Sequence, residues 1–342
     1  MVQQMVLALM LSGAISYIAT PIALKMSHRV GAIDIPKDNR RMHKDPIPRL
    51  GGLAIYVGFV ISSLLLLPFN SEQMALLTGA TLMMGLGMVD DSKTLSAKIK
   101  LSGQILAALI VMYGGVRIEF ITNFLAPSKN IIALGWLSFP VTLFWIVGIT
   151  NTVNLIDGLD GLAAGVSVIA SMSLAAVAYL NGMPEVTVIL LILAGASLGF
   201  LPHNSHPARI FMGDTGSLFI GFVLAVISVE GVLKSATTIA VAIPVMALGV
   251  PIVDTTCAII RRFLNKRPIM EADKGHLHHR LLEQGYSHRQ TVWILYGMSL
   301  FLGVGAVYIS DAERIPSIIV LLIVIATVST ALVRIGLLRK TS

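Results

Sequence analysis

The sequence predicts an all-α, polytopic membrane protein of about eleven transmembrane helices, with its N-terminus outside and its C-terminus in the cytoplasm. Three observations predict it: 55% of the 342 residues are hydrophobic, 13% are charged, and the apolar residues gather into long runs. A soluble domain carries about twice that share of charge. A run of roughly 20 helical residues crosses a hydrocarbon core of about 30 Å.

The expected spans are 5–25, 51–68, 73–89, 99–116, 134–150, 161–181, 185–201, 214–233, 236–258, 291–309 and 315–335. Helices are expected because backbone polar groups facing lipid must pair within their own segment, and no alternating barrel pattern occurs. The first run follows only Met1 to Gln4, with no basic residue before it, and reads as a retained helix rather than a cleaved signal. The single cysteine, Cys257, excludes an internal disulfide framework. The whole chain, 1–342, therefore reads as one integral membrane domain, with polar loops at 26–50, 90–98, 151–160, 202–213 and 259–290.

Sidedness follows from the basic residues. Of 25 Lys and Arg, 21 fall on the face of those five loops and the C-terminal tail, and only Arg117, Lys129, Lys234 and Arg314 on the other. The positive-inside rule makes the richer face cytoplasmic. The net charge of +7 is thereby explained by topology rather than by nucleic acid, which is not expected as a partner. All eight histidines and twelve of the eighteen acids share that face, which insertion does not require. Such a collection suggests a polar reaction site at the membrane surface.

Four constellations carry chemistry. Asp90-Asp91 ends the third span, and Lys98 and Lys100 follow at phosphate-binding distance along the chain. Adjacent acids suit a metal or proton transfer, and the plain alternative is a solvated loop capping the next helix. From Asn151 to Asp160, Asn151, Asn154, Asp157 and Asp160 recur every three residues, so a helix there would carry one polar stripe. The alternative is a small-residue packing face. Asp214, in Phe211-Met212-Gly213-Asp214-Thr215-Gly216-Ser217, opens a helix whose free amides would meet phosphate oxygens while the acid holds a divalent cation. A simple N-cap would look similar. Lys274-Gly275-His276-Leu277-His278-His279-Arg280 suits a nucleotide diphosphate; zinc and a basic topology anchor are its other readings. The first loop, from Asp34-Ile35-Pro36 through Arg40-Arg41-Met42-His43 to Arg49-Leu50-Gly51-Gly52, is also basic, and Asp254 is expected to pair with Arg261 or Arg262.

These motifs, in this order and over nearly the whole chain, resemble the polyprenyl-phosphate N-acetylhexosamine-1-phosphate transferase family. The His-x-His-His-Arg wording is similar to the GlcNAc-1-phosphate branch that starts wall teichoic acid or related glycans. The phospho-MurNAc-pentapeptide translocase branch typically has three consecutive histidines. Some GlcNAc-type members have a third acid where this chain has Thr94. The resemblance implies a bacterial plasma-membrane enzyme moving GlcNAc-1-phosphate from UDP-GlcNAc to undecaprenyl phosphate, releasing UMP, with its site on the cytoplasmic face.

It further implies Mg²⁺, with Mn²⁺ as a substitute, held by Asp214 with Asn154. Asp90, Asp91, Asp157, Asp160 and His279 are the implied catalytic group. Arg49, Lys100, Asn154, Asn204, Phe211, His276, His278 and Arg280 are implied on substrate, with Asn204 and Phe211 near uracil. Membrane lipid is an expected partner, and a homodimer is compatible with the family. One-step transfer and a phospho-aspartyl intermediate are both open. Two competing readings are a secondary transporter, which would place its acids near the bilayer midplane, and a CDP-alcohol phosphotransferase, whose further Asp spacing is missing.

Overall fold

The computed structural model describes residues 1–35, 46–123, 130–233, 241–266, 268 and 275–335. The expected roles for Pro36, Arg40, Arg41, His43 and Lys274 lie outside them. Helix α1 (Val2–Val30) ends at Gly31 in the left-handed conformation and leads into a two-residue pairing of β1 (Ile33–Asp34) with β2 (Ile47–Pro48). Helices α2 (Gly52–Leu66), α3 (Ser71–Lys93) and α4 (Ala97–Tyr113) follow, α3 and α4 starting at the side-chain caps Asn70 and Ser96.

The hairpin β3 (Phe120–Asn123) with β4 (Asn130–Ala133) leads to α5 (Ser138–Leu155), α6 (Leu162–Leu180), α7 (Pro184–Asn204) and α8 (Gly213–Ser228). The chain closes with α9 (Ala242–Ala247), α10 (Gly249–Leu264), α11 (Leu277–Glu283), α12 (His288–Asp311) and α13 (Arg314–Ile335). The fold is the expected all-α, multi-pass type. Among the described residues, α1, α5, α6, α7, α8, α12 and α13, in part with a flanking turn, are long and apolar enough to cross a membrane.

Two expectations need adjustment. The ninth span breaks at Leu248 into α9 and α10, because Pro251 has no amide hydrogen to continue the ladder and sits instead in the first turn of a new helix. The segment 151–160, expected as a loop that would carry a polar stripe if helical, is helical only to Leu155, where α5 stops, and residues 156–161 form turns ending at Gly161 with φ 76°.

Helix association uses small side chains, as expected where lipid offers no hydrophobic drive between helices. The buried face of α1 is Ala8, Ser12, Ser16, Thr20, Ala23 and Ser27, and it lies against Gly195 and Gly199 of α7. Ser12, Thr20 and Ser27 satisfy their hydroxyls on carbonyls four residues earlier.

At the centre stands α8, in contact with α2, α3, α5, α6 and α7. Every residue of α8 is buried except Asp214. The acids and amides of interest occupy the ends of α3, α5 and α7 and the starts of α4 and α8. Alternating helix directions therefore bring them to one end of the bundle, and the β3–β4 hairpin lies at the other.

Candidate active site

The start of α8 is built by three other segments. Gly51 and Gly52 donate their amides to the carbonyls of Phe211 and Met212, both at 2.9 Å, and Phe211 donates to Pro48 at 2.8 Å. The Pro-Arg-Leu-Gly-Gly loop and the Phe-Met-Gly-Asp segment are thus laced together, a pairing 160 residues apart in sequence that spacing did not disclose. Gly213 adopts φ 68°, and a Cβ there would strike the Asp91 carboxylate.

Asp91 caps α8 from another helix. Its Oδ1 accepts the amide of Asp214 at 3.0 Å; its Oδ2 accepts the amide of Thr215 at 2.9 Å and the Thr215 hydroxyl at 2.6 Å. Arg49 Nε lies 3.8 Å from the same carboxylate. Of the expected acid pair, the buried Asp91 is therefore spent on helix-start amides, while Asp90 faces the charged cluster.

That cluster centres on Lys100. Its ammonium bridges Asp90 Oδ2 at 3.0 Å and Asp214 Oδ2 at 2.6 Å. Asn154 donates to Asp214 Oδ1 at 3.0 Å and to Ser217 Oγ at 2.8 Å. Asp157 stands in the field of Asp214 and Asp91. Burial, and then those two negative charges, push its carboxyl up to about 7. A concentration of carboxylates this dense calls for a cation, and one lysine answers for two of them. The oxygens of Asp90, Asp157, Asp214 and the Asn154 side chain are hard donors of the kind a magnesium ion accepts alongside water.

Asp214 also borders a cavity of about 610 Å³, within the range of small-molecule pockets. Arg49, Asn154, Asp157, Asp160, Asn204, Phe211 and His279 line it. So do Asp34, from the first-loop constellation, and His206, Arg209 and His288, to which the sequence assigned no role. Asn204 is buried and bridges two loops, accepting from Gly161 N–H and donating to the Ile210 carbonyl, both at 3.0 Å.

The histidine loop divides. Among its described members, only His279 lines the cavity. His276 Nδ1 lies 2.8 Å from Asp254, which also accepts the Leu277 amide at 2.7 Å. Through these two bonds Asp254, expected to pair with Arg261 or Arg262, organises the start of α11. His278 is buried over Gly158, where any Cβ would collide with its ring. Desolvation, and then neighbouring His279, lower its pKa to about 3. Arg280 lies 3.4 Å from Glu283 and does not border the cavity. Asn151 pairs instead with Gln104 inside the bundle, at 2.7 Å.

Comparison with known proteins shows the family. Residues 73–232, which hold the Asp90 pair, the Asn154-to-Asp160 turn and Asp214, match the model of glycosyl transferase family 4. A probable undecaprenyl-phosphate N-acetylglucosaminyl 1-phosphate transferase of Bacillus subtilis is 42% identical over 94% of this chain and 89% of its own length. The chain belongs to this family of polyprenyl-phosphate N-acetylhexosamine-1-phosphate transferases.

The chain is also similar to a decaprenyl-phosphate N-acetylglucosaminephosphotransferase of Mycobacterium leprae, 36% identical over 85% of this chain and 79% of its own. A phospho-N-acetylmuramoyl-pentapeptide-transferase of Halalkalibacterium halodurans is 32% identical over 89% and 97%.

Proposed function

We propose that this protein transfers GlcNAc-1-phosphate from UDP-GlcNAc to undecaprenyl phosphate, forming undecaprenyl-diphosphate-GlcNAc and UMP, an initiating step of teichoic acid or other surface glycan synthesis. The observation that carries it is the position of Asp214: it joins a nucleotide-sized cavity on one side to the Asp90–Lys100 pair on the other. The identity of the relatives supports the same reading. The working face is the cytoplasmic one, supported by the 21 basic residues on that side.

The chemistry is an in-line displacement. An oxygen of the lipid phosphate attacks the β-phosphorus of UDP-GlcNAc, the bond from that phosphorus to the α–β bridging oxygen breaks, and UMP leaves with the bridging oxygen. The attacking phosphate has a second pKa near 6 and is mostly ionised at neutral pH, so a base contributes little. Asp90 and Lys100 orient the acceptor, Lys100 as a point charge able to exchange a carboxylate for a phosphate oxygen. Asp91 is a positioning residue that holds the start of α8. Asp157, Asp160, Asn204, Phe211, Arg49 and His279 receive the nucleotide sugar in the cavity.

Mg²⁺, with Mn²⁺ as a substitute, fits the oxygen donors of Asp214, Asn154, Asp90 and Asp157, and when bound it neutralises phosphoryl oxygens. The remaining stabilisation comes from fixed charges that need no reorganisation during transfer. An isoprenoid acceptor also accounts for a site at helix ends: its tail stays in hydrocarbon while its phosphate reaches the surface.

Purified protein with Mg²⁺, undecaprenyl phosphate and a panel of UDP-sugars tests the proposal by UMP release. UDP-GlcNAc is expected to be the productive donor and Asp214→Asn to be inactive. No UMP from any donor, in protein shown to be folded, would sink it. A preference for UDP-MurNAc-pentapeptide would move it to the related branch. A transporter is disfavoured because Asp90, Asp157, Asp160 and Asp214 all sit at helix ends or in turns.

A further inference from the structure

Where the cavity is lined by Asp160, His206 and His288, three side chains from separate segments of the chain come together. Asp160 lies in the turn after α5, His206 in the loop before α8, and His288 at the first residue of α12. One ligand atom from each falls within 4.8 Å of the other two. His206 Nδ1 is 2.7 Å from Asp160 Oδ2, which also accepts the Ala208 amide at 3.1 Å. The two imidazoles stack with centroids 4.1 Å apart.

His288 is prepared in a particular way. Its Nε2 is buried with no hydrogen-bond partner, so a ring nitrogen beside the Asp160 carboxylate is left to be satisfied by a ligand. Its base is firm: Ser287 and Gln290 form a capping box under it, and Arg289 donates to the His206 carbonyl at 3.2 Å.

We propose that Asp160, His206 and His288 form a transition-metal site, for a borderline cation such as Zn²⁺ or Co²⁺, separate from the oxygen cluster at Asp214. Two imidazole nitrogens and one carboxylate with an open fourth position suit such an ion at bond lengths of about 2.0–2.2 Å. Mg²⁺ prefers oxygen donors and does not compete. On binding, the neutral His206 ring carries its proton on Nε2 and offers the Nδ1 lone pair, and the His206–Asp160 hydrogen bond gives way to two metal bonds. All three residues line the cavity. If the cavity takes the nucleotide as proposed above, an occupied site withdraws Asp160 from the donor sugar nucleotide, and Zn²⁺ is then an inhibitor of transfer.

The test uses the full chain in detergent, without a histidine tag and without nucleotide. Co²⁺ absorption and Zn²⁺ calorimetry are expected to report one site per chain that millimolar Mg²⁺ leaves occupied. His288→Ala and His206→Asn should each weaken it at least tenfold, while His279→Ala, in the neighbouring histidine loop, should leave it intact. Retention of binding in either of the first two variants, loss in His279→Ala, or no Co²⁺ bound by folded wild-type protein would overturn the proposal. Because binding is read without turnover, its failure is distinct from failure of the transferase reading. In an active preparation, Zn²⁺ should suppress UMP release in wild type at concentrations that spare residual turnover in His288→Ala.

Discussion

The carboxylate of Asp91 is joined to Thr215 by both the amide and the hydroxyl of that residue, at 2.9 and 2.6 Å, so the last turn of one membrane helix terminates the first turn of another. This relationship sets where Asp214 stands. It also explains why two adjacent acids are not interchangeable.

Asp91→Ala should lower the melting temperature, with loss of about 1–2 kcal/mol expected for a removed helix cap and somewhat more for a charge-assisted one. UMP release should fall with it, because Asp214 loses its anchor. Asp91→Asn, which keeps an oxygen acceptor, should recover part of the stability. Equal stability of the Ala variant and wild type in a thermal scan would remove Asp91 from this role.

Lys100 separates two carboxylates. In Lys100→Met the cluster becomes more negative, so Mg²⁺ should half-saturate the enzyme at a lower concentration while kcat drops at least tenfold, about 1.4 kcal/mol of barrier. A metal titration of UMP release measures both. A variant with reduced kcat and weakened Mg²⁺ response would show instead that Lys100 helps hold the metal shell.

Asp157 titrates near neutrality, its carboxyl being raised to about 7. A cation prefers the ionised form, so Mg²⁺ binding releases a proton on the acid side of that value. Apparent Mg²⁺ affinity should therefore strengthen as pH rises from 6 to 8 and level off above. Asp157→Asn should flatten that dependence. Half-saturation for Mg²⁺ across this range checks it.

His278 is buried in its neutral form, with a pKa lowered to about 3 against an ordinary value near 6.5. Between those values the unfolded chain binds the extra proton, so stability is full above pH 6.5 and falls progressively toward pH 3. Thermal scans at pH 7.5 and 5 should show this loss. His278→Gln should lessen the difference, whatever it does to absolute stability.

Much of the fold was legible because lipid enforces a simple rule. Long apolar runs become helices that pair their own backbone, and their positions follow from composition alone. The break at Leu248 was less legible because Pro244 and Pro251 interrupt an otherwise apolar run without shortening it. Motif acids were legible as a group, since Asp90, Asp157, Asp160 and Asp214 all flank the ends of spans.

His206 and His288 were not legible as a pair. They are 82 residues apart, and only their shared face hinted at a meeting. Arg280, His276 and His278 were expected on substrate; the structure buries the two histidines and sets Arg280 beside Glu283, with Asp254 holding the start of α11.

By itself the sequence determined a membrane-embedded helical chain and pointed to all its histidines and most of its acids at one face, since hydropathy and charge act locally and need no knowledge of neighbours. The division of labour among those residues was decided only in three dimensions. Which acid caps α8, which meets Lys100 and which borders the cavity depends on contacts between helices distant in sequence, and a buried carboxylate takes its role from the donors around it.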